Sequence, residues 1–200
     1  MAGLASSGLI LRSHTGARYR FDPGALCLEL TTTGGPGEFR RFEVLHTPAD
    51  LAAWAARSRL SPTPDLDISQ AEVDTARTFR DALFRAATAR ATGVEPVRDD
   101  LDVINRTAAH LPLTPAVGPD GKRSWAATAT GAQLLSTVAR DAVELLTGEY
   151  AHRIRVCSGE RCHLVFVDTS RPGSRRWCSM EHCGNQHKVR ALRERRGEKG

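Results

Sequence analysis

The 200-residue sequence is poor in aromatic side chains, which make up 6% of it. Its hydrophobic content of 40% is carried mainly by Ala, Leu and Val, a composition that favours helices packed through small side chains over an aromatic-rich sandwich. A long apolar run is also missing. The charge-free stretch 124–139 is interrupted by Ser, Thr, Gln and Gly and falls short of the roughly 20 apolar residues that a spanning helix needs. No Lys or Arg precedes the short apolar stretch within residues 1–11, and no small-residue cleavage site follows it. The N-terminus therefore does not read as a secretion signal, and a cytoplasmic protein is expected. Internal repeats and low-complexity segments are absent. So are the nucleophile elbow, the phosphate loop, the His-Glu-x-x-His pair and any carboxylate constellation, so the expectation is a protein that is not an enzyme.

Two further scarcities are positional. Residues 1–150 contain 16 Lys and Arg against 18 Asp and Glu, a net charge of −2, whereas residues 151–200 contain 12 against 5, a net of +7. The first 150 residues also hold a single cysteine, Cys27, which sits between Leu26 and Leu28 and reads as a small core hydrophobe. The other four, Cys157, Cys162, Cys178 and Cys183, fall within 27 consecutive residues of the basic quarter. The chain thus divides into residues 1–150 and 151–200, with a linker near 149–152.

The fold class expected is α+β: a mainly helical N-terminal domain with short β-hairpins, followed by a small zinc-ribbon-like module of one β-hairpin and one helix. Residues 18–21 and 26–31 read as extended, and the turn 33–37 before residues 38–45 suggests a hairpin. Thr47, Pro48 and Asp50 then form a helix start, with Leu51, Trp54 and Ala55 inward and Pro62 and Pro64 as the stop. A second capping box, Ser69 to Glu72, opens a longer helix with Val73, Ala76, Phe79 or Arg80, Leu83 and Ala87 inward, closed by Gly93 and Pro96. A third helix starts near Asp99 or Asp100. Segments 111–117 and 123–128 flank a turn at 118–121 and read as a hairpin. A helix over 130–146 completes this part, with Gly148 as its stop.

In the basic module the spacing is Cys157-x4-Cys162, fifteen intervening residues, then Cys178-x4-Cys183. Two close pairs joined by a reversing loop suit a tetrahedral structural zinc site, since each pair grips the ion from one side. Four thiolates leave no open coordination position, so one structural Zn²⁺ that folds the module is expected rather than a catalytic metal. His163, His182 and His187 lie beside this set and read as surroundings rather than ligands. Residues 153–156 and 164–167 read as the arms of a hairpin, and residues 168–173 as a turn. Ser179 reads as the cap of a last helix running to about residue 195, with Val189 and Leu192 as a narrow packing stripe and basic residues on both flanks.

The string Trp177-Cys178-Ser179-Met180-Glu181-His182-Cys183-Gly184-Asn185, with Phe166-Val167-Asp168 and Arg175-Arg176 upstream, resembles the CGNR zinc-finger family. In these bacterial proteins the zinc module follows an ABATE domain assigned to stress-induced transcription regulation. Leu26-Cys27-Leu28-Glu29-Leu30 is similar to that domain's early Leu-x-Leu-Asp-Phe segment. This chain departs from the signature in having Gln186 where the family has Arg, and Thr32-Thr33 where it has Asn-Thr. The resemblance implies Cys157, Cys162, Cys178 and Cys183 as zinc ligands and DNA as the partner.

The +7 excess supplies physical support for a DNA-binding transcription regulator. Arg171, Arg175 and Arg176, on or beside the loop between the cysteine pairs, and Lys188, Arg190, Arg193, Arg195 and Arg196 on the last helix are candidates to neutralise phosphates. Arg175 and Arg176 are the better candidates, because zinc should hold them rigid. The alternative is a zinc-stabilised interaction module that holds a homodimer or docks on transcription machinery, with Trp177 and Phe166 as anchors. In the DNA-binding reading the N-terminal domain is regulatory, open to a small-molecule effector.

Overall fold

The computed structural model of the chain describes residues 8–13, 16–126 and 128–197. The N-terminal stretch 1–11, which does not read as a secretion signal, lies mostly outside these. Strands β1 (Leu9–Arg12) and β2 (Arg18–Phe21) form an antiparallel hairpin in which Leu9 faces Phe21 and Arg12 faces Arg18. Residues 26–31, expected as a strand, instead form the helix α1 (Leu26–Leu30). All five of its residues are buried, so no polar face reveals the period of the run. Its start is capped from far away in sequence: the Cys27 N–H donates to Asp141 Oδ2 at 2.8 Å. The strand expected over 38–45 is likewise replaced by a 3-10 helix over Gly37–Phe42. Buried Arg80 fixes the end of that segment by donating from both Nη atoms to the two carboxylate oxygens of Glu43, each at 2.8 Å.

From here local signals and structure agree. Helix α2 (Pro48–Arg57) begins at the Thr47/Asp50 capping box. After β3 (Leu66–Asp67), helix α3 (Gln70–Thr92) begins at the Ser69/Glu72 box and ends on Gly93 in the left-handed conformation, φ 71°. Helix α4 (Arg98–Ala108) is followed by the hairpin of β4 (Pro115–Val117) and β5 (Arg123–Trp125). Strand β6 (Ala129–Thr130) pairs in parallel with β3 and runs into α5 (Gly131–Thr147). The last part consists of the antiparallel pair β7 (Ile154–Val156) and β8 (Val165–Val167), one π-helical turn over Met180–Gly184, and α6 (Asn185–Gly197).

Helices α3, α4 and α5 pack on one another through Phe79, Leu83, Ala86, Ile104, Leu134, Val138 and Ala142, all essentially buried. Ile154, Val165 and Val167 belong to this same apolar cluster, and β7 packs against α3. Strand β8 has a second face. Because successive side chains point to opposite sides, Val165 and Val167 enter the helical core while Phe166 enters a separate cluster with Tyr19, Phe21, Cys157, Cys178 and Cys183. Gly24 lets the chain pass close to this strand, since a Cβ there would lie 3.0 Å from the Cβ of Val167.

Helix α6 corrects another expectation. Val189 and Leu192, read as a packing stripe, are 49% and 46% exposed. Among the described residues of α6 only Ala191 is half-buried, so the helix projects from the knot that begins it.

Ile154 carries a test of how the parts are joined. Ile154→Ala is expected to lower the unfolding free energy by about 2–5 kcal/mol. Because that side chain belongs to the helical core, zinc release and loss of helix, followed by a chelator dye and by circular dichroism, should shift to lower urea together.

Candidate metal centre and its basic surroundings

The π-helical turn and the β7–β8 hairpin bring Cys157, Cys162, Cys178 and Cys183 together, with all four Sγ atoms within 4.8 Å of one another. The Cys162–Cys178 and Cys178–Cys183 sulfur separations are 3.7 and 3.5 Å. A tetrahedral site with Zn–S bonds of about 2.3 Å requires sulfurs about 3.8 Å apart. A disulfide requires about 2.05 Å, and all four cysteines are free. The donor set and its spacing therefore fit one structural zinc ion. Cys157, Cys178 and Cys183 are buried and Cys162 is half-buried.

The surroundings are shaped for such an ion. The Cys178 N–H donates to the Cys157 sulfur at 3.2 Å, an interaction that favours the thiolate. Without a cation the four groups cannot all ionise. Hydrogen bonding to Cys157 pushes the Cys162 and Cys178 thiols well above the ordinary range, while Cys157, accepting from Cys162 and Cys178, is driven far below it. A divalent cation removes that conflict by favouring four thiolates at once. Gly159 crosses directly over the cluster: a Cβ there would lie 2.9 Å from Cys183 Sγ and 3.1 Å from Cys162 Cβ. Gly184 is similarly confined, its added Cβ falling 2.8 Å from the sulfur of Met180.

Each histidine near the cluster lies against an aromatic ring. His182 stacks on Tyr19 with ring centroids 4.4 Å apart, His187 lies 4.8 Å from Trp177, and His163 lies 4.9 Å from Phe39. Gln186, at the position of the family arginine, approaches His182 Nδ1 at 3.4 Å through its amide nitrogen. Burial first, and then the negative charge of the four cysteines, pushes the Tyr19 phenol upward. Phe166 is buried and Trp177 half-buried, so the two suggested docking anchors are largely committed to the module itself.

The loop from β8 to the second cysteine pair is organised by Asp168, whose surface is fully buried. Burial alone would raise its carboxyl. Hydrogen bonds from Ser170 Oγ at 2.6 Å, Arg175 N at 2.8 Å and Ser170 N at 3.0 Å outweigh that and hold it below the ordinary range. Arg175 then turns inward. Its Nε donates to the Trp177 carbonyl, one Nη to that of Cys178 and the other to that of Asp22, while its guanidinium lies 4.1 Å from the centre of the Phe166 ring. With each of these nitrogens engaged, Arg175 braces the metal loop and is withdrawn from the set of phosphate contacts expected from the sequence.

The other candidates are exposed. Arg171 lies on the turn after Ser170, Arg176 lies over the Trp177 ring, and Lys188, Arg190, Arg193 and Arg195 follow one another along α6. Arg190 is ion-paired with Glu160. The side chain of Arg196 lies outside the described residues. Sequence reasoning missed Gly159 and the β1–β2 hairpin as parts of the centre. The alternation Arg18-Tyr19-Arg20-Phe21 marks a strand with an aromatic face, but nothing local says which surface that face meets.

Two measurements probe the centre. Purified protein should contain one zinc per chain, retained less tightly as pH falls because the thiolates regain protons. Gly159→Ala should weaken zinc binding by roughly 10–100-fold, the range seen when the surroundings of a metal site are disturbed, as read by competition with a chelator dye.

Comparison with known families places this geometry. The profile of ABATE, described as "Putative stress-induced transcription regulator", matches residues 24–149, and that of the CGNR zinc finger matches residues 153–196. No curated protein matches the chain. With both profiles in order and the four thiols gathered at the place the second requires, the chain belongs to the ABATE family and carries a C-terminal CGNR zinc finger.

Proposed function

We propose that this protein is a cytoplasmic transcription regulator whose zinc module binds DNA, with the helical body in a regulatory role. The observation that carries the reading is α6. It leaves a metal-fixed knot, packs only lightly, and presents Lys188, Arg190, Arg193 and Arg195 to solvent. Helices held by their base and cationic along their length suit the phosphate backbone, whose neutralisation releases condensed counterions. Arg171 and Arg176 extend the charge onto the loop that the zinc holds in place. These contacts would position the protein without themselves selecting a sequence. No helix among the described residues is long and apolar enough to cross a membrane. The role is non-catalytic: four thiolates saturate the ion, and no position is left for water or substrate.

A second reading is favoured by one observation. Exposed Val189 and Leu192 lie one helical turn apart on α6, and such a pair suits a second copy or a protein partner.

Salt separates the two. Binding to duplex DNA, followed by fluorescence anisotropy, should weaken steeply as salt rises, and Lys188→Ala with Arg193→Ala should lower the slope of log K against log salt by about 2, near 0.9 for each phosphate that is no longer neutralised. Arg190→Ala should change it less, because Glu160 already offsets that charge. Self-association that survives high salt, with no DNA binding at any salt, would favour the second reading.

A further inference from the structure

We infer that the N-terminal β1–β2 hairpin, which lies outside both family matches, is a second cationic arm of the zinc module and grips the phosphate backbone of the same DNA duplex. This rests on the DNA-binding reading above and extends it to residues that neither the cysteine pattern nor the family signature points to.

The hairpin is divided by its pleat. Leu9, Tyr19 and Phe21 are buried and Leu11 half-buried, and Leu11, Tyr19 and Phe21 join the cluster that contains Cys157, Phe166, Cys178 and Cys183. The opposite face carries Arg12, Arg18 and Arg20 with Ile10, all exposed. The register sets Arg12 directly across from Arg18, and Ile10 across from Arg20. Like charges opposed in this way repel across the strand pair. Among the described residues none of the three arginines makes an ion pair. The acid nearest in sequence, Asp22, is turned to Arg59 at 2.9 Å and to the Gly24 N–H. The fold therefore concentrates three guanidinium groups, none ion-paired among the described residues, on one face of a two-stranded ribbon. It leaves the repulsion to be relieved from outside.

The position of this ribbon matters as much as its charge. Tyr19 stacks on His182, in the turn that leads into α6, and Arg175 Nη1 reaches the carbonyl of Asp22 at the end of β2. Arg18 and Arg20 thus leave the hairpin one residue to either side of a ring seated against the base of the cationic helix. One basic helix and one basic β-ribbon are set against the same cysteine cluster. Polyphosphate chains meet such an arrangement with several guanidinium groups at once, and arginine is the side chain best shaped for them.

The experiment uses the zinc-loaded full chain and a random-sequence 20-base-pair duplex, titrated at several salt concentrations. Arg12→Ala, Arg18→Ala and Arg20→Ala combined should keep one zinc per chain and lower the slope of log K against log salt by about 2.7, at about 0.9 per phosphate. Replacing all three by Lys should largely restore the slope. If the wild type binds DNA and the triple variant gives the same slope and affinity, the hairpin inference falls and the DNA-binding reading stands. If the wild type does not bind duplex DNA, both fall. Should the triple variant lose zinc, the single variants Arg12→Gln and Arg18→Gln decide, each expected to lower the slope by about 0.9; an unchanged slope in both overturns the inference.

Discussion

The mutual repulsion of four thiolates, and the one divalent cation that relieves it, organises the turns that carry Cys157, Cys162, Cys178 and Cys183. Strands β7 and β8 are three residues long, and α6 has almost no packed face. Neither a pair of such strands nor an isolated helix of that length persists in water on backbone hydrogen bonds alone. Zinc ties these turns together beside the cluster of Tyr19, Phe21 and Phe166, and its binding free energy contributes folding free energy to this part of the chain. The consequences propagate outward through short contacts. Gly159 must be small because it crosses the sulfurs, Asp168 must be ionised because it collects three donors from the loop, and Arg175 must face inward because it holds the carbonyls of Trp177 and Cys178.

Strand β8 is where the metal region and the helical body become one packing problem. Its two valines complete the core around α3, and the phenylalanine between them supports the cysteine cluster. The family profiles divide the chain near residue 150, and the covalent chain does pass from one match to the next there. The buried surfaces do not follow that division. The β1–β2 hairpin, at the opposite end of the sequence, closes the outer side of the cysteine cluster through Tyr19 and Phe21.

Much of this was legible where the determining signal is local. The capping boxes at Thr47 and Ser69, the stop at Gly93, the hairpin around residues 118–121 and the paired cysteines all act within a few residues of themselves, and each element formed where those residues predict. What could not be read depended on distant partners. Helix α1 looks like a strand because its five buried residues carry no polar face and its cap comes from Asp141. The segment after Gly37 follows Arg80, fully buried and paired to Glu43. Val189 and Leu192 have helical spacing but meet no packing surface among the described residues, which spacing alone cannot reveal. Arg175 and Arg176 are adjacent and chemically identical, yet one is half-buried with its guanidinium bonded inward and the other is exposed. Only the fold of the metal loop distinguishes them.

The alternation along β8 also limits how this zinc finger can be inherited or borrowed. Modules that recombine freely between proteins carry their whole interior with them. This one shares its interior with α3 through the two valines and with the β1–β2 ribbon through the cysteines, so a cut at the linker separates β8 from α3 and the cysteine cluster from the ribbon. Compatible exchange between relatives would have to move matched pairs of surfaces, valines with α3 and cysteines with the hairpin.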